Sequence, residues 1–366
     1  MLRRRLGRTN FQASVVGFGG IPIEGKNMND AVAVVQRALE MGVNYIDTAR
    51  IYADSEIKIG AAIKGKRDGL FIATKTMRRS KEDAAKHIDE SLQRLGLDCV
   101  DLMYTHGVDT EDDLRWALGQ GGAIEAFREA RDAGKIRYIG ISGHNNPVLV
   151  SAIKTGVFDV VLASYNLTNT DAANELFPLT EEMDIGVSVM KPLVGGALGI
   201  PSEAVKFQVA DRAITTAEAA LRFVLSNPLI HTVIPGMGSL DEVEANVPLG
   251  YEPQNMSAEE VAVLREKAEG LGFTFCQGCG YCVPECPEGI NIPEVFRLQA
   301  FHDQYGLTLY AKDSYHRFGY VDKVPGCTGC QSCMEHCPAQ LEIPELLKKA
   351  HATLTRDFVR KPPPET

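Results

Sequence analysis

Three things are scarce in this sequence of 366 residues: long apolar runs, an excess of positive charge, and cysteine before residue 275. A membrane-spanning helix needs about 18 or more apolar residues in a row, and no such run exists. The formal net charge is −10 and no basic stripe offsets it, so nucleic acid is not an expected partner. Polar residues also follow the basic start, where a secretion signal would be apolar. We therefore expect a cytoplasmic protein that does not associate with membranes.

Cysteine is distributed unevenly, because eight of the nine cysteines follow residue 275. In a chain that we expect in a reducing compartment, so many thiols indicate metal ligands rather than disulfides. The same asymmetry predicts a domain boundary. We expect a first domain over residues 1–271, a cysteine-rich domain over 272–355 and an extended tail over 356–366.

Eight short, nearly continuous apolar runs occupy the first domain, at 15–19, 43–49, 70–75, 99–106, 136–142, 158–164, 185–191 and 230–236. Strands buried on both faces of a parallel sheet have this character. Amphipathic helical segments separate the runs, and a last one covers 257–272. Eight strand–helix units in about 270 residues favour a closed (β/α)8 TIM barrel, and so an α/β fold, over an open sheet. The opening LRRRLGRTNFQASVV predicts a small hairpin that closes the barrel floor.

The second domain contains an internal repeat. The segments CQGCGYCVPECPEGINIPEVF (276–296) and CTGCQSCMEHCPAQLEIPELL (327–347) match at an offset of 51 residues. Each has the spacing C-x2-C-x2-C-x3-C-P and then an Ile-Pro-Glu sequence, which predicts a helix with proline in its first turn. We therefore expect a duplicated, small domain of helices and loops that is ferredoxin-like.

The repeated spacing is that of the bacterial ferredoxin run, in which the fourth cysteine binds the other cluster. This resemblance implies two [4Fe–4S] clusters, one on Cys276, Cys279, Cys282 and Cys337, the other on Cys327, Cys330, Cys333 and Cys286. Structural zinc is the alternative, since it also takes four thiolates. Zinc ribbons, however, use separated C-x2-C pairs rather than three cysteines in seven residues.

Polar side chains occur at three adjacent strand ends of the predicted barrel and in one loop after a strand. Asp47, Lys75 and His106 end the second, third and fourth strands, and Tyr52 lies in the loop after the second. Taken singly, each has a structural interpretation: an ion pair, a core histidine, a packed tyrosine. The carboxyl ends of barrel strands are where active sites lie, so four such residues together predict one.

The first 270 residues resemble the aldo-keto reductase family through the segments IDTARIYADSEIKIG (46–60), ATKT (73–76), DLMYTHGVD (101–109), IGISGHN (139–145) and VIPG (233–236). The resemblance implies that Tyr52 donates a proton to a carbonyl and that Lys75, paired with Asp47, stabilises the phenolate. It also implies that His106 orients the carbonyl oxygen. A phenol is a weak acid, with an unperturbed pKa of about 10, so an adjacent ammonium makes it a better proton donor.

The same resemblance implies an NAD(P)H site, with some departures from the family. The nicotinamide-binding positions become Ser142 with Gly143, then Leu162, then Met190, and Asn166, Gly236 and Asn246 complete the expected cofactor-binding set. The segment after the eighth strand, 234–246, has no cation where the family binds the 2′-phosphate of NADP. It carries carboxylates instead, at Asp241, Glu242 and Glu244. We therefore expect NADPH to bind no better than NADH.

The whole chain resembles the aldo-keto reductase-like proteins that carry a C-terminal ferredoxin domain. This implies an oxidoreductase that acts on a small carbonyl or alcohol, with the clusters relaying electrons or serving a structural role. An electron-transfer protein whose barrel is a scaffold for a redox partner is the alternative. His144, just past the fifth strand, is either part of the substrate pocket or a histidine of a surface loop.

Overall fold

The computed structural model describes residues 1–167, 169–193, 207–209, 212–251, 256–270, 276, 280–303, 308–337 and 340–358. One predicted ligand, Cys279, lies outside these residues, as do the expected domain boundary at 271–272 and most of the tail. The chain divides into two compact units, Met1–Leu271 and Gly272–Thr366.

The first unit contains all of the strands found in the described residues. They are β1 (Arg3–Arg5), β2 (Gln12–Ser14), β3 (Phe18–Gly19), β4 (Tyr45–Asp47), β5 (Phe71–Thr76), β6 (Val100–Thr105), β7 (Ile136–Gly143), β8 (Val160–Ser164), β9 (Gly186–Met190), β10 (Phe207–Val209), β11 (Arg212–Ile214) and β12 (Thr232–Val233). Strands β10 and β11 pair as a separate antiparallel hairpin.

Eight strands form a parallel sheet in the order β12-β9-β8-β7-β6-β5-β4-β3. Parallel bridges then join its two edges, from Val16 to Val233 and from Gly19 to Gly236, so that the sheet closes on itself. Nearly every residue of these strands is buried, because the interior fills one face and helices cover the other. The predicted α/β barrel is confirmed. Six of its eight strands lie within a predicted apolar run, and β5 and β7 each extend one residue beyond theirs.

Helices alternate with the barrel strands. They are α1 (Met28–Glu40), α2 (Ser55–Ile63), α3 (Lys81–Leu95), α4 (Glu111–Leu118), α5 (Ala123–Asp132), α6 (Asn146–Lys154), α7 (Leu176–Glu182), α8 (Thr216–Ser226), α9 (Leu240–Asn246) and α10 (Ala258–Gly270). Local sequence sets several of their ends. For α3, the Ser80 side chain accepts a hydrogen bond from the Asp83 N–H, and Gly96 ends the helix with a left-handed φ of 64°.

The hairpin of β1 and β2 covers the N-terminal end of the barrel, as the sequence predicts. Leu6, at its turn, is fully buried and joins the core cluster that includes Tyr45 and Phe71. The Tyr138 hydroxyl donates to the Thr9 carbonyl across 2.9 Å, which ties the turn to β7. At the opposite end of the barrel, the carboxyl ends of the strands are followed by the loops that carry the candidate site.

The second unit consists of short helices around the cysteine-rich loops: α11 (Ile292–Asp303), α12 (Thr308–Arg317), α13 (Tyr320–Lys323), α14 (Ser332–Glu335) and α15 (Ile343–Thr355). Helices α11 and α15 begin at the two Ile-Pro-Glu sequences, so their starts are 51 residues apart, the offset of the repeat. Helix α12, in the insertion between the repeats, contacts α15 through a 2.9 Å hydrogen bond between the Tyr315 hydroxyl and His351 Nδ1.

None of the helices in the described residues is long and apolar enough to cross a membrane.

Candidate active site and cluster-binding cysteines

Three neighbouring strands bring the predicted catalytic side chains to the same end of the barrel. Asp47 is the last residue of β4 and pairs in register with Ala73 of β5, two residues before Lys75. Lys75 is in turn opposite Tyr104 of β6, two residues before His106. Because all three strands run in the same direction, these side chains leave the sheet at nearly the same height.

Lys75 and Asp47 form a buried ion pair. Lys75 Nζ lies 2.5 Å from Asp47 Oδ2 and also donates to the Thr48 carbonyl at 2.7 Å. Lys75 is 1% exposed and Asp47 is 4% exposed. Burial lowers the pKa of the Lys75 ammonium and raises that of the Asp47 carboxyl, and the attraction between the two charges opposes both changes. The pairing therefore keeps a positive charge in a place where water cannot stabilise it.

Tyr52 and His106 lie directly beside this pair. Lys75 Nζ is 5.1 Å from the centre of the Tyr52 ring. The Tyr52 and His106 rings are 5.9 Å apart and meet edge to face, at 85°. Both rings are partly exposed, whereas the ion pair is not. The structure thus brings all four predicted residues together, with the two rings between the buried charge and solvent.

The loop after β6 is joined to β7 by hydrogen bonds with Ser142. The Gly107 N–H donates to Ser142 Oγ at 3.2 Å, and the Val108 N–H donates to the Ser142 carbonyl at 2.8 Å. Arg79, 7% exposed, donates to the carbonyls of His106 and Gly107. Ser142, predicted to contact the cofactor, therefore supports the loop that carries His106.

His144 is bound by Asp109, a residue that the sequence did not single out. The Asp109 carboxylate accepts one hydrogen bond from the His144 backbone N–H at 2.5 Å and contacts the ring through Nδ1 at 3.1 Å. Burial by itself would raise the pKa of Asp109, but the charge and hydrogen bonds of His144 lower it to about 2. Asp109 is thus ionised at neutral pH and fixes the His144 ring, whose side chain is 17% exposed.

The remaining cofactor-binding candidates have mixed surroundings. Asn166 is 1% exposed; its side-chain amide donates to the Lys191 carbonyl at 3.1 Å, and its oxygen accepts from the Asn169 N–H at 3.0 Å. Met190 is partly buried against the barrel core. At Gly236 a side chain would approach Pro22 to 2.7 Å, so only glycine fits there. Asn246, in α9, is 5% exposed.

The segment after the last barrel strand is largely occupied by its own carboxylates. Glu242 Oε2 accepts from the N–H groups of Gly238 and Ser239, at 2.6 Å and 3.1 Å, and completes a capping box at the start of α9. Glu244 is paired with Arg37 of α1 at 2.6 Å. Glu242 therefore already accepts hydrogen bonds from backbone N–H groups in the region where the sequence predicts that the nucleotide binds.

Sequence reasoning missed one cation in this region. The Lys26 side chain lies against Gly238, since a Cβ built on that glycine would be 2.9 Å from Lys26 Cε. Lys26 belongs to the loop after the first barrel strand, and barrel closure brings that loop to the end of the eighth. No local pattern connects positions 26 and 238, so only the closure of the barrel could have indicated their contact.

Four of the predicted cluster ligands surround one cavity in the second unit. Its empty space is about 310 Å³, and its lining includes Cys286, Cys327, Cys330 and Cys333. These are the four ligands that the ferredoxin resemblance assigns to one cluster. Burial and the three neighbouring cysteines raise the pKa of the Cys333 thiol. Within the described residues, no three His, Cys, Asp or Glu side chains are placed to hold a single metal ion. Thiols spread around a cavity suit a cluster that takes one thiolate per iron.

The ligands assigned to the other cluster are only partly described. Cys282 is 6% exposed. Cys276 and Cys337 are partly buried, and Cys279 lies outside the described residues. Gly280, beside Cys282, has a positive φ of 82°, a conformation that glycine adopts without strain.

A closed α/β barrel with this constellation at its strand ends, followed by a domain with two ferredoxin-type cysteine runs, defines an oxidoreductase with an attached iron–sulfur domain. Comparison with known families agrees. Residues 15–269 match the aldo/keto reductase family, and residues 275–342 match the 4Fe-4S dicluster domain. The chain belongs to the aldo/keto reductase family and carries a 4Fe-4S dicluster domain.

Known relatives match the barrel along nearly their whole length. The oxidoreductase YqkF of Bacillus subtilis is 28% identical, over 72% of this chain and 96% of its own. L-galactose dehydrogenase of Arabidopsis thaliana is 30% identical, over 73% of this chain and 95% of its own. The holo form of the aldo-keto reductase AKR11C1 from Bacillus halodurans superposes with a TM-score of 0.63 at 30% identity, covering 73% of this chain and 96% of that one.

The buried pair predicts a non-additive effect on stability. Asp47→Asn or Lys75→Met alone leaves one uncompensated charge in the interior, which costs about 3–5 kcal/mol. The double variant leaves none, and we expect it to be less destabilised than the sum of the two single variants. Urea unfolding of the wild type, the two single variants and the double variant, monitored by circular dichroism, gives the free energy of interaction between the two side chains.

The exposed pair Lys86–Glu82 on α3, 2.8 Å apart, is the matched control. Replacing it by Met and Gln should leave the urea midpoint almost unchanged, because solvent screens both charges. Strictly additive losses at positions 47 and 75 would contradict the coupling that we infer from the 2.5 Å contact.

Proposed function

We propose that this protein interconverts a small carbonyl compound and its alcohol at the open end of the barrel, with its two [4Fe–4S] clusters as an electron source or sink. The observation that carries the proposal is the position of Tyr52 between a buried, paired ammonium and His106. Lys75 Nζ is 5.1 Å from the Tyr52 ring centre and 2.5 Å from Asp47. A phenol that must give up a proton needs such a charge nearby.

This geometry supports the roles that the family resemblance implies. Tyr52 donates its hydroxyl proton to the carbonyl oxygen, Lys75 stabilises the phenolate that remains, and Asp47 keeps Lys75 charged. His106 orients the carbonyl oxygen. His144, held by Asp109 at the neighbouring strand end, is proposed to contact the rest of the substrate through its partly exposed ring. The relative named L-galactose dehydrogenase makes sugars and small hydroxy aldehydes the first compounds to test.

Reduction of a carbonyl to an alcohol consumes two electrons and two protons. Bound NAD(P)H would supply both electrons and one proton together as a hydride, and Tyr52 would give the other proton. Two [4Fe–4S] clusters would supply the electrons one at a time, and the second proton would then come from water. Thiolate ligands stay reduced in the cytosol, which supports a cytoplasmic location. The proposed roles of the Asp47–Lys75 pair and of the Tyr52 and His106 rings are the same for either electron source.

Loss of the Tyr52 hydroxyl should abolish the chemistry and spare binding. We expect Tyr52→Phe to lower kcat for carbonyl reduction by about 10²–10⁴-fold, the usual contribution of general acid–base catalysis, with little change in KM. His144→Ala is the comparison, and we expect it to raise KM more than it lowers kcat. A panel of small aldehydes, hydroxy aldehydes and L-galactose is assayed with NADH, NADPH or dithionite-reduced protein.

Undiminished turnover of Tyr52→Phe would show that another group donates the proton. Turnover by neither nucleotide nor reduced clusters, across the panel, would favour the alternative function, in which the barrel is a scaffold for a redox partner.

The cluster assignment predicts a metal content. Anaerobically purified protein should contain about eight iron and about eight acid-labile sulfide per chain, since each [4Fe–4S] cluster holds four of each. Cys333→Ala should lose about half of both, because it removes a ligand from only one of the two assigned sets. Cys99→Ala, which changes the cysteine outside both sets, is the control. A colourless protein with stoichiometric zinc would overturn the assignment.

We propose further that NADPH binds no more tightly than NADH. Glu242 occupies the backbone donors of Gly238 and Ser239, and no cation lies in 234–246. A 2′-phosphate near this carboxylate would be repelled, and a missing charge-assisted contact costs about 1.5–3 kcal/mol, roughly ten- to a hundredfold in affinity. Lys26 offers the nearby positive charge that limits the repulsion.

Titration of the anaerobic protein tests this proposal. We expect similar dissociation constants for NADH and NADPH in the wild type. Glu242→Gln should improve NADPH binding relative to NADH, because the side chain still accepts the capping hydrogen bonds but carries no charge. Lys26→Gln should have the opposite effect. Micromolar affinity for NADPH with strong discrimination against NADH in the wild type would refute the proposal.

A further inference from the structure

A second ion pair lies behind the candidate site, on the helix side of the barrel wall. Glu56, in the first turn of α2, is 0% exposed. One of its carboxylate oxygens accepts from the Thr74 hydroxyl at 2.7 Å, and the other accepts from Arg94 Nε of α3 at 3.0 Å. Thr74 precedes Lys75 in β5, and successive residues of a strand point to opposite faces. The pair therefore anchors α2 and α3 to the outer face of the strand that carries Lys75.

Arg94 also binds the turn that carries Tyr52. Its guanidinium Nη2 donates to the carbonyl of Ala53, one residue after the predicted proton donor. Within the turn, the Tyr52 N–H donates to the Ala49 carbonyl at 3.0 Å, and the Tyr52 carbonyl accepts from the Ser55 N–H at 2.8 Å. The conformation of these few residues therefore sets the direction in which the Tyr52 ring leaves the backbone.

Ala53 has a strained backbone conformation. Its φ is 26°, and a positive φ is uncommon for a residue with a side chain, because the side chain and the backbone then clash. Such strain persists only where the surrounding structure imposes it, and it is concentrated at functional sites. The carbonyl of this same residue is the one that Arg94 binds. The contact therefore indicates that Arg94 holds the turn in place.

Helix packing fixes the position of Arg94 itself. At Gly60 of α2, a side chain would approach the Leu95 carbonyl oxygen of α3 to 2.5 Å, so the two helices touch beside Arg94 and only glycine fits there. The Arg94 side chain is 21% exposed, and its planar guanidinium binds the carboxylate through one nitrogen and the Ala53 carbonyl through another. A lysine has one compact ammonium group on a flexible stem and does not reproduce this fork.

We propose that Arg94 is a positioning residue for Tyr52. Paired with Glu56, it holds the strained turn at Ala53 and so directs the Tyr52 hydroxyl towards the carbonyl of the substrate. This role rests on the proposed function, in which Tyr52 is the proton donor, and adds to it a residue from behind the barrel wall. A proton donor that is displaced from its productive position by about 1 Å reacts far more slowly, so the turn affects kcat.

Arg94→Lys tests this role in the full-length protein with its clusters bound. The lysine keeps the charge that Glu56 requires and removes the second donor. We expect kcat for carbonyl reduction to fall at least about tenfold and KM to change less than about twofold, because the donor moves and the pocket does not. Adding Ala53→Gly should restore part of the lost kcat, since glycine adopts a positive φ without strain. A residue that only stabilised the fold would not be rescued in this way.

A second measurement needs no substrate. The protein is labelled with 3-fluorotyrosine at its 11 tyrosines, and the 19F NMR resonance that is missing from Tyr52→Phe identifies Tyr52. We expect Arg94→Lys to shift or broaden this resonance, and Arg94→Lys/Ala53→Gly to move it back towards its wild-type position. If even the wild-type protein reduces no carbonyl, the proposed function fails, and this resonance alone decides whether Arg94 positions the ring.

The matched control is Arg222→Lys. Arg222 is also partly buried and pairs with a glutamate, Glu218, at 2.9 Å, but within α8. This variant should leave kcat and the Tyr52 resonance unchanged. Urea unfolding first confirms that each variant folds. Glu56→Gln, which leaves Arg94 without its charged partner, replaces Arg94→Lys if that variant does not fold.

Two results would overturn the proposal. The first is an Arg94→Lys variant whose kcat and Tyr52 resonance match those of Arg222→Lys. The second is a fall in kcat that Ala53→Gly does not relieve and that leaves the Tyr52 resonance unmoved, because Arg94 would then serve only the stability of the barrel.

Discussion

A single buried positive charge organises the open end of the barrel. Lys75 is almost completely removed from water, and an ammonium in such a place is stable only with a paired carboxylate and further hydrogen-bond acceptors. Asp47 and the Thr48 carbonyl provide these from the neighbouring strand. The ion pair and the barrel depend on each other. Strands β4 and β5 must keep their register for the pair to form, and the pair fixes the charge beside which Tyr52 lies. The two rings and the loops after β6 and β7 are arranged around that charge.

The surroundings of the pair show how a rigid barrel supports a site made of loops. Arg79 binds the carbonyls that follow His106, and Ser142 ties the same loop to β7. Asp109 performs the corresponding task for His144. The His106 loop and the His144 ring are thus each held by a neighbouring polar side chain. Such support reduces the conformational freedom of the rings, and preorganised groups act without a reorganisation cost when a substrate arrives.

The second unit uses a different source of order. Its helices are short, and its loops contain two cysteine runs that a cluster can tie together. In the described part of this unit, one cavity is lined by four thiols that come from both repeats. The two repeats therefore form a single interlocked unit rather than two independent modules. Metal binding in such a domain contributes directly to folding, because the ligands have no reason to converge in the unfolded chain.

Much of this structure could be predicted from local sequence. The eight strands follow from continuous apolar runs, the end of α3 from Gly96, and the starts of α11 and α15 from the repeated Ile-Pro-Glu. The candidate residues Asp47, Lys75 and His106 follow from one rule, that the carboxyl ends of parallel barrel strands meet. The sequence by itself determined these features because each depends on side-chain periodicity or on a residue's own backbone preference. The contacts between distant segments were decided only by the tertiary structure: Asp109 with His144, and Lys26 against Gly238. They arise when the barrel closes and the loops settle against one another, and no short-range pattern records which loop ends will then lie within hydrogen-bonding or van der Waals distance.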